Sequence, residues 1–222
     1  SSVSVNGGTL VLNRSVDFGF TGIVSGTGPV VKNLSNTFTE HNLQTTGTMI
    51  VNHGTVESGG FYYPAATNLV GANSRLTLTP VSNVTTMTVA SNISGIGSLV
   101  SAGSGTVLLT GNAEHTGGTT VASGMLSVGA GGATGSISGS ITMTDSGILR
   151  FNRADDVTFT GSIGGGGSGA VIKAGGNTLT LAGANTYTSA TSIAAGVLRV
   201  VGSLGDTPIT VGTGAQLQIA SG

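Results

Sequence analysis

Apolar and polar residues alternate with period two along most of this chain, in runs of about five residues, the ordinary length of a β-strand. In Asn177-Thr-Leu-Thr-Leu181 the two leucines fall on one side of an extended backbone and the two threonines on the other, because successive Cβ atoms of a strand point to opposite faces. The same parity turns Val107 and Leu109 inward, and likewise Leu76, Leu78, Leu149 and Phe151. β-Branched Val, Ile and Thr fill most of the remaining strand positions, which suits a pleated, half-buried surface. Gly, Ser, Asn and Thr separate the runs. The pattern predicts many short strands and no helix of consequence.

The runs recur. Ile23, Ile93 and Ile163 stand 70 residues apart, and each opens a similar phrase. Gly97-Ser-Leu-Val-Ser, Gly105-Thr-Val-Leu-Leu, His115-Thr-Gly-Gly-Thr-Thr-Val and Gly124-Met-Leu-Ser-Val are echoed by Gly169-Ala-Val-Ile-Lys, Asn177-Thr-Leu-Thr-Leu, Tyr187-Thr-Ser-Ala-Thr-Ser-Ile and Gly196-Val-Leu-Arg-Val. Gly28-Pro-Val-Val-Lys, Asn36-Thr-Phe-Thr and Gly54-Thr-Val-Glu form a more diverged first copy. A second phrase, Leu10-Val-Leu-Asn-Arg, returns as Leu149-Arg-Phe-Asn-Arg. A fixed period with small insertions marks a solenoid, in which each unit covers the apolar face of its neighbour. The expected organisation is one segment, residues 1–222, of about three repeats with boundaries near 22, 92 and 162 and a partial repeat over 204–222.

Regularly placed hairpin turns are missing, so a parallel coil fits better than antiparallel pairs. With roughly 23 residues to a coil, the chain would make nine or ten coils and a rod on the order of 45 Å long. The expected fold is all-β, a right-handed parallel β-helix that is part of a longer array.

Composition narrows the function. The 222 residues include 40 glycines, no cysteine, seven Lys or Arg and eight Asp or Glu, for a formal charge of −1. No basic stripe exists to neutralise phosphates, which argues against nucleic acid as a partner. No apolar run reaches the roughly 20 residues of a membrane-spanning helix, so no direct membrane insertion is expected. The opening Ser1-Ser-Val-Ser-Val-Asn6 lacks signal-peptide organisation, and the closing phrase resembles internal ones, so a piece of a longer protein is expected.

Candidate chemistry is sparse. Glu40-His41 and Glu114-His115 are the acid–His neighbours, and they read as solvated turn residues rather than a triad or a metal site. Glu40 falls where the other repeats carry Leu109 and Leu181, so the strand is expected to stop there and Glu40-His41-Asn42 to leave the coil as a loop, sparing a buried carboxylate. Arg150, Arg153, Asp155 and Asp156 form the densest charged patch, echoed by Arg14 and Asp17. A polysaccharide-cleaving site would need such groups gathered in a cleft, whereas surface ion pairs at a repeated turn need nothing more. The Gly164 to Gly167 run lacks the Lys-Ser/Thr of a phosphate loop and reads as a turn. Thr77/Thr79, Thr86/Thr88, Thr142/Thr144, Thr158/Thr160 and Thr178/Thr180 would make an ice-binding surface only if stacked on one flat face. Phe61, Tyr62 and Tyr63 lie in an addition to the repeat and are the candidate protein-binding loop.

The phrases Gly183-Ala-Asn-Thr-Tyr-Thr, Asn177-Thr-Leu-Thr-Leu-Ala-Gly and Gly196-Val-Leu-Arg-Val, with their counterparts in 97–128, resemble the autotransporter-associated β-strand repeat of Gram-negative passenger domains. The second copy departs from that pattern where His115 replaces Tyr. The resemblance implies a β-helix exported to the cell surface or secreted, through an outer-membrane β-barrel that this chain does not include. Such passengers are commonly adhesins, self-associating factors or released virulence factors, and the repeat itself leaves the activity open; the expectation here is a non-catalytic adhesin or virulence factor with no cofactor and no metal. Its partners would be a host cell-surface protein or glycan, or another copy of the passenger. A structural stalk and a glycan-active enzyme are the alternatives.

Overall fold

The computed structural model describes residues 2–62, 64–80 and 85–220. Among the described residues are 28 strands and no helix. Each strand pairs in parallel with one about a turn away along the chain, as Leu99 does with Thr119 and Thr119 with Ile141. The result is a parallel β-solenoid of about 11 turns. Thr37 pairs with Thr55 and Ala66 with Asn92, so a turn takes as few as 18 residues and as many as 26. Most turns are shorter than expected, which is why there are more of them. Stacked at the spacing of β-strands, they give a rod of roughly 50 Å.

Three strands make a turn. Ser98–Ser101, Thr106–Leu109 and Asn112–Ala113 lie on three sides, and Thr119–Val121 returns above Ser98–Ser101. We call the side of Thr106–Leu109 the first, that of Asn112–Ala113 the second and that of Ser98–Ser101 the third. Two long strands, Thr37–Thr45 and Gly54–Tyr62, run round the corner from the third side to the first. On the second side the ladder is interrupted: Ser136–Ile137 ends one sheet and Val157–Phe159 begins the next.

The repeat does not close on itself. Ala170–Ala174 carries the phrase of Ser98–Ser101 and is the tenth strand after it, so a repeat makes three full turns and one side more. Val30–Lys32, Ser98–Ser101 and Ala170–Ala174 therefore occupy the second, third and first sides in succession. Ile23, Ile93 and Ile163 advance in the same way, from first to second to third.

Inside, equal parity on stacked strands builds columns. Phe18, Phe38, Val56, Leu76, Leu99, Thr119, Ile141 and Ile163 succeed one another up the third side, and the Phe18 and Phe38 ring centroids are 4.8 Å apart. The eight residues for which alternation predicts an inward side chain (Leu76, Leu78, Val107, Leu109, Leu149, Phe151, Leu179 and Leu181) are all buried. Each fully buried side chain of this size contributes about 1.5–3 kcal/mol. The threonines that interrupt the columns are satisfied locally. Thr119 Oγ1 lies 3.0 Å from His115 Nε2, and Thr191 Oγ1 lies 2.8 Å from the Tyr187 hydroxyl. His and Tyr at this repeat position thus do the same work.

Corners set the tightest steric limit. Gly54, Gly124 and Gly196 occupy one position of the repeat, with φ of 75°, 60° and 66°. A Cβ on any of them would collide with a carbonyl of the preceding turn: Leu34 and Asn36, Gly103 and Gly105, or Gly175 and Asn177. Left-handed backbone and close approach both require glycine here. Gly132 faces open space in an ordinary conformation. Replacing Gly124 or Gly196 by Ala is expected to lower stability by about 1–3 kcal/mol in urea titrations, and Gly132→Ala to change it by less than about 0.5 kcal/mol.

Candidate functional site

The aromatic segment is not the loop its sequence suggests. Phe61 and Tyr62 end the strand Gly54–Tyr62 and pair with Asn42 and Leu43. The Tyr62 ring is 1% exposed, and its hydroxyl lies 2.5 Å from Thr67 Oγ1. Tyr62 is a core residue because the chain turns this corner in extended conformation, which carries its ring inward. Tyr63 lies outside the described residues.

Glu40 and His115 also depart from expectation. Thr37–Thr45 does not stop at Glu40; the strand continues through a register shift between Glu40 and Asn42. The Glu40 side chain is fully buried opposite Ser58, and neither carboxyl oxygen nor the Ser58 hydroxyl has a hydrogen-bond partner. Burial pushes its carboxyl up to about 7. The nearby Ser58 hydroxyl and the backbone of Asn42 and Leu43, none in good hydrogen-bond geometry, offset this only in part. Burial is tolerated best in the protonated form, which the raised pKa favours below about pH 7. His115 is buried, and desolvation holds it below its usual pKa, so it sits neutral against Thr119. Glu114 and His41 are exposed.

The charged patch is taken up by the scaffold. Arg153 is 9% exposed; it reaches under the 129–135 segment, donating to the carbonyls of Gly135 and Ala133 (2.7 Å to the latter) and forming a 2.7 Å ion pair with Asp155. Hydrogen bonds from Arg153 hold the Asp155 carboxyl below its usual range. Asp156 accepts from the Thr178 backbone N–H at 2.7 Å, as Asp17 does from Thr37 at 2.6 Å. Arg150 points outward on the first side beside Leu108 and Met125. The first-side groove that Arg150 lines with Thr86, Thr106 and Asn152 does not include Asp155 or Asp156. Behind Arg153 a gap of about 90 Å³, walled by Val128, Ile137, Phe151 and Phe159, marks the interrupted ladder.

Two buried lysines escaped the sequence reading. Lys32 and Lys173 face inward at the same repeat position, and their ammonium groups turn into corner carbonyls. Desolvation lowers both pKa values, partly countered by Asp17 and Asp156. Their signal was available: each follows an inward valine, Val30 or Val171, by two residues.

The outer surface offers shallow grooves. One of about 380 Å³ on the third side is lined by Arg75, Ser98, Thr120, Ser140 and Thr142. Another, about 490 Å³, lies at the next corner beside Thr39, His41, Glu57 and Ser104. The five Thr pairs are spread over all three sides, so they form no single flat face. No group of three His, Cys, Asp or Glu is placed to hold a metal among the described residues.

Comparison with known proteins agrees with this architecture. The passenger-associated-transport-repeat family model matches residues 99–128 and 171–200. The adhesin BmaC autotransporter of Brucella suis biovar 1 (strain 1330) is 46% identical over 63 residues, which is 28% of this chain and 2% of that protein. No solved structure matches. The two matched repeats, this relative and the parallel solenoid together support a β-helical segment of an autotransporter passenger domain. Passengers cross the outer membrane, so the segment is secreted or displayed at the cell surface.

Glu40 generates a pH dependence whose sign is fixed. Its folded pKa lies above the unfolded value of 4.5, so its contribution is complete below about pH 4.5 and is lost as pH rises through about 7. Between these limits the chain is expected to lose about 3 kcal/mol of stability. Glu40→Gln should flatten most of this slope in urea titrations at pH 4.5, 6 and 8; an unchanged slope would place the titrating group elsewhere.

Proposed function

We propose that this segment is a non-catalytic part of an adhesive passenger, which meets a host-cell surface component or a second passenger through its third side. The observation that carries this reading is the continuous outward file of Thr39, Glu57, Thr77, Val100, Thr120 and Thr142 on stacked strands. Beside it runs a second file, with Arg75, Ser98, Ser140 and Ser162. Such a surface presents hydroxyls at the strand spacing without ordering cost, because the ladder below already holds the backbone. Hydroxyls and a few charges suit the hydroxyl groups of a glycan or the polar face of another rod.

The engagement of Arg153, Asp155 and Asp156 by the scaffold supports a non-catalytic role over glycan cleavage. With Tyr62 buried, the outward files of the third side are the better-supported contact surface. The relative's printed name, an adhesin, supports the same reading.

The test is saturable binding of the labelled chain to cultured animal cells and to beads coated with the chain itself. A Thr120→Glu/Thr142→Glu variant is expected to lose at least about tenfold in affinity, the effect of roughly 1.4 kcal/mol, while Phe61→Ala retains binding. Loss in Phe61→Ala alone would return the contact to the aromatic segment. Absence of binding to cells and beads alike would make the segment a stalk.

A further inference from the structure

At one corner of the coil, an inward lysine closes a nest of backbone carbonyls. Lys173 Nζ donates to the carbonyls of Ala174 and Gly175, each at 2.9 Å, and of Ala195 at 3.2 Å. Lys32 Nζ donates to Leu34 O, to His53 O at 3.3 Å and to Asn36 Oδ1 at 3.0 Å. These are equivalent positions of the first and third repeats: Leu34 corresponds to Gly175, and His53 to Ala195.

The second repeat builds the same corner without the lysine. Gly103 and Gly124 have positive φ, as Gly175 and Gly196 do. The carbonyls of Gly103 and Gly105 stand against Gly124 just as those of Gly175 and Asn177 stand against Gly196. Ser101 occupies the lysine position, two residues before Gly103, and its side chain stops short of the nest. Its hydroxyl is buried, in a residue 1% exposed, and has no hydrogen-bond partner. No backbone N–H among the described residues donates to the carbonyl of Gly103 or of Ser123, the counterpart of Ala195.

We propose that the second repeat binds a monovalent cation of ammonium or potassium size in this nest. The carbonyls of Ala102, Gly103 and Ser123 hold it, with the Ser101 hydroxyl behind them. Three arguments select this ligand. The lysine ammonium of the third repeat sits 2.9–3.2 Å from its carbonyls, too far for magnesium at about 2.0–2.1 Å or calcium at about 2.3–2.6 Å. The donors are neutral, which suits a single charge, and backbone carbonyls are the ligands that replace the hydration shell of potassium. A water has two hydrogens to offer three carbonyls, whereas an ammonium or a bare cation serves all of them. The site takes the place of an internal charge that the other two repeats carry covalently.

Thermal unfolding of the 222-residue chain, followed by circular dichroism at equal ionic strength, tests this. Potassium and ammonium chloride are expected to raise the midpoint by about 2–4 °C over lithium and tetramethylammonium chloride, the shift for a site near saturation in a chain this size. Ser101→Lys should raise the midpoint in tetramethylammonium chloride to the same level and abolish the difference between salts. Equal midpoints in all salts for the unaltered chain, or a difference that survives in Ser101→Lys, would overturn the proposal. Crystals of the unaltered chain soaked in rubidium chloride provide a check that needs no variant. An anomalous peak is expected between Gly103 O and Ser123 O at the separation that Lys173 Nζ keeps from its carbonyls, and its absence would count equally against the site.

Discussion

The backbone ladder between successive turns is the contact from which the rest of this molecule follows. Because every turn must lie one strand spacing above the last, inward side chains stack into columns, and only small or positive-φ residues fit where corners nearly touch. This explains why the chain is rich in glycine yet ordered: Gly54, Gly124 and Gly196 are held by the carbonyls they lie against. It also explains the polar side chains that line some corners. Asn13, Asn33 and Asn52 form a ladder of amide hydrogen bonds at 2.8 and 2.7 Å that repeats the backbone's own geometry one layer further out.

A second consequence comes from counting strands. Ten sides per repeat on a three-sided coil leave one side over, the two long strands of the first repeat covering two sides each, so each repeat presents its phrases rotated by a side relative to the last. Residues that match in sequence cannot build a uniform face. The surface along any one side is instead assembled from different parts of the repeat, which is how a monotonous sequence acquires a hydroxyl-rich third side and a first side bearing Leu108, Met125, Ile148 and Arg150. This lets the interior keep a strict repeat while the exterior varies, as the proposed adhesive role would require.

Strand parity was legible because it depends only on neighbouring residues, and the leucines of Thr178–Leu181 and Thr106–Leu109 obey it. The same parity points Glu40 and Lys32 inward, and for Glu40 its charge argued against that placement. Charge lost for two separate reasons: burial pushes the Glu40 carboxyl up to about 7, so it holds a proton far more readily than in water, and the long lysine stem is buried while its ammonium reaches a corner. Tyr62 was misplaced because an insertion normally leaves as a loop, whereas here Gly54–Tyr62 carries it round a corner as strand. The rotation of the repeat was illegible from spacing alone, since it depends on how many strands the chain spends per turn, and that is set by stacking rather than by any local phrase.

The rotation is the claim most open to direct test. Spin labels at positions 98 and 162 lie on the same outward file of the third side, separated by the turns that Gly118 and Ser140 occupy; at about 4.8 Å per turn they are roughly 15 Å apart. Labels at 98 and 170 sit at equivalent residues of two repeats, and the account places them on different sides of the rod. Continuous-wave electron paramagnetic resonance is predicted to show dipolar broadening for the 98/162 pair and a much weaker effect for 98/170. Broadening of the 98/170 pair with none for 98/162 would mean that the repeat closes after a whole number of turns, and would contradict the account.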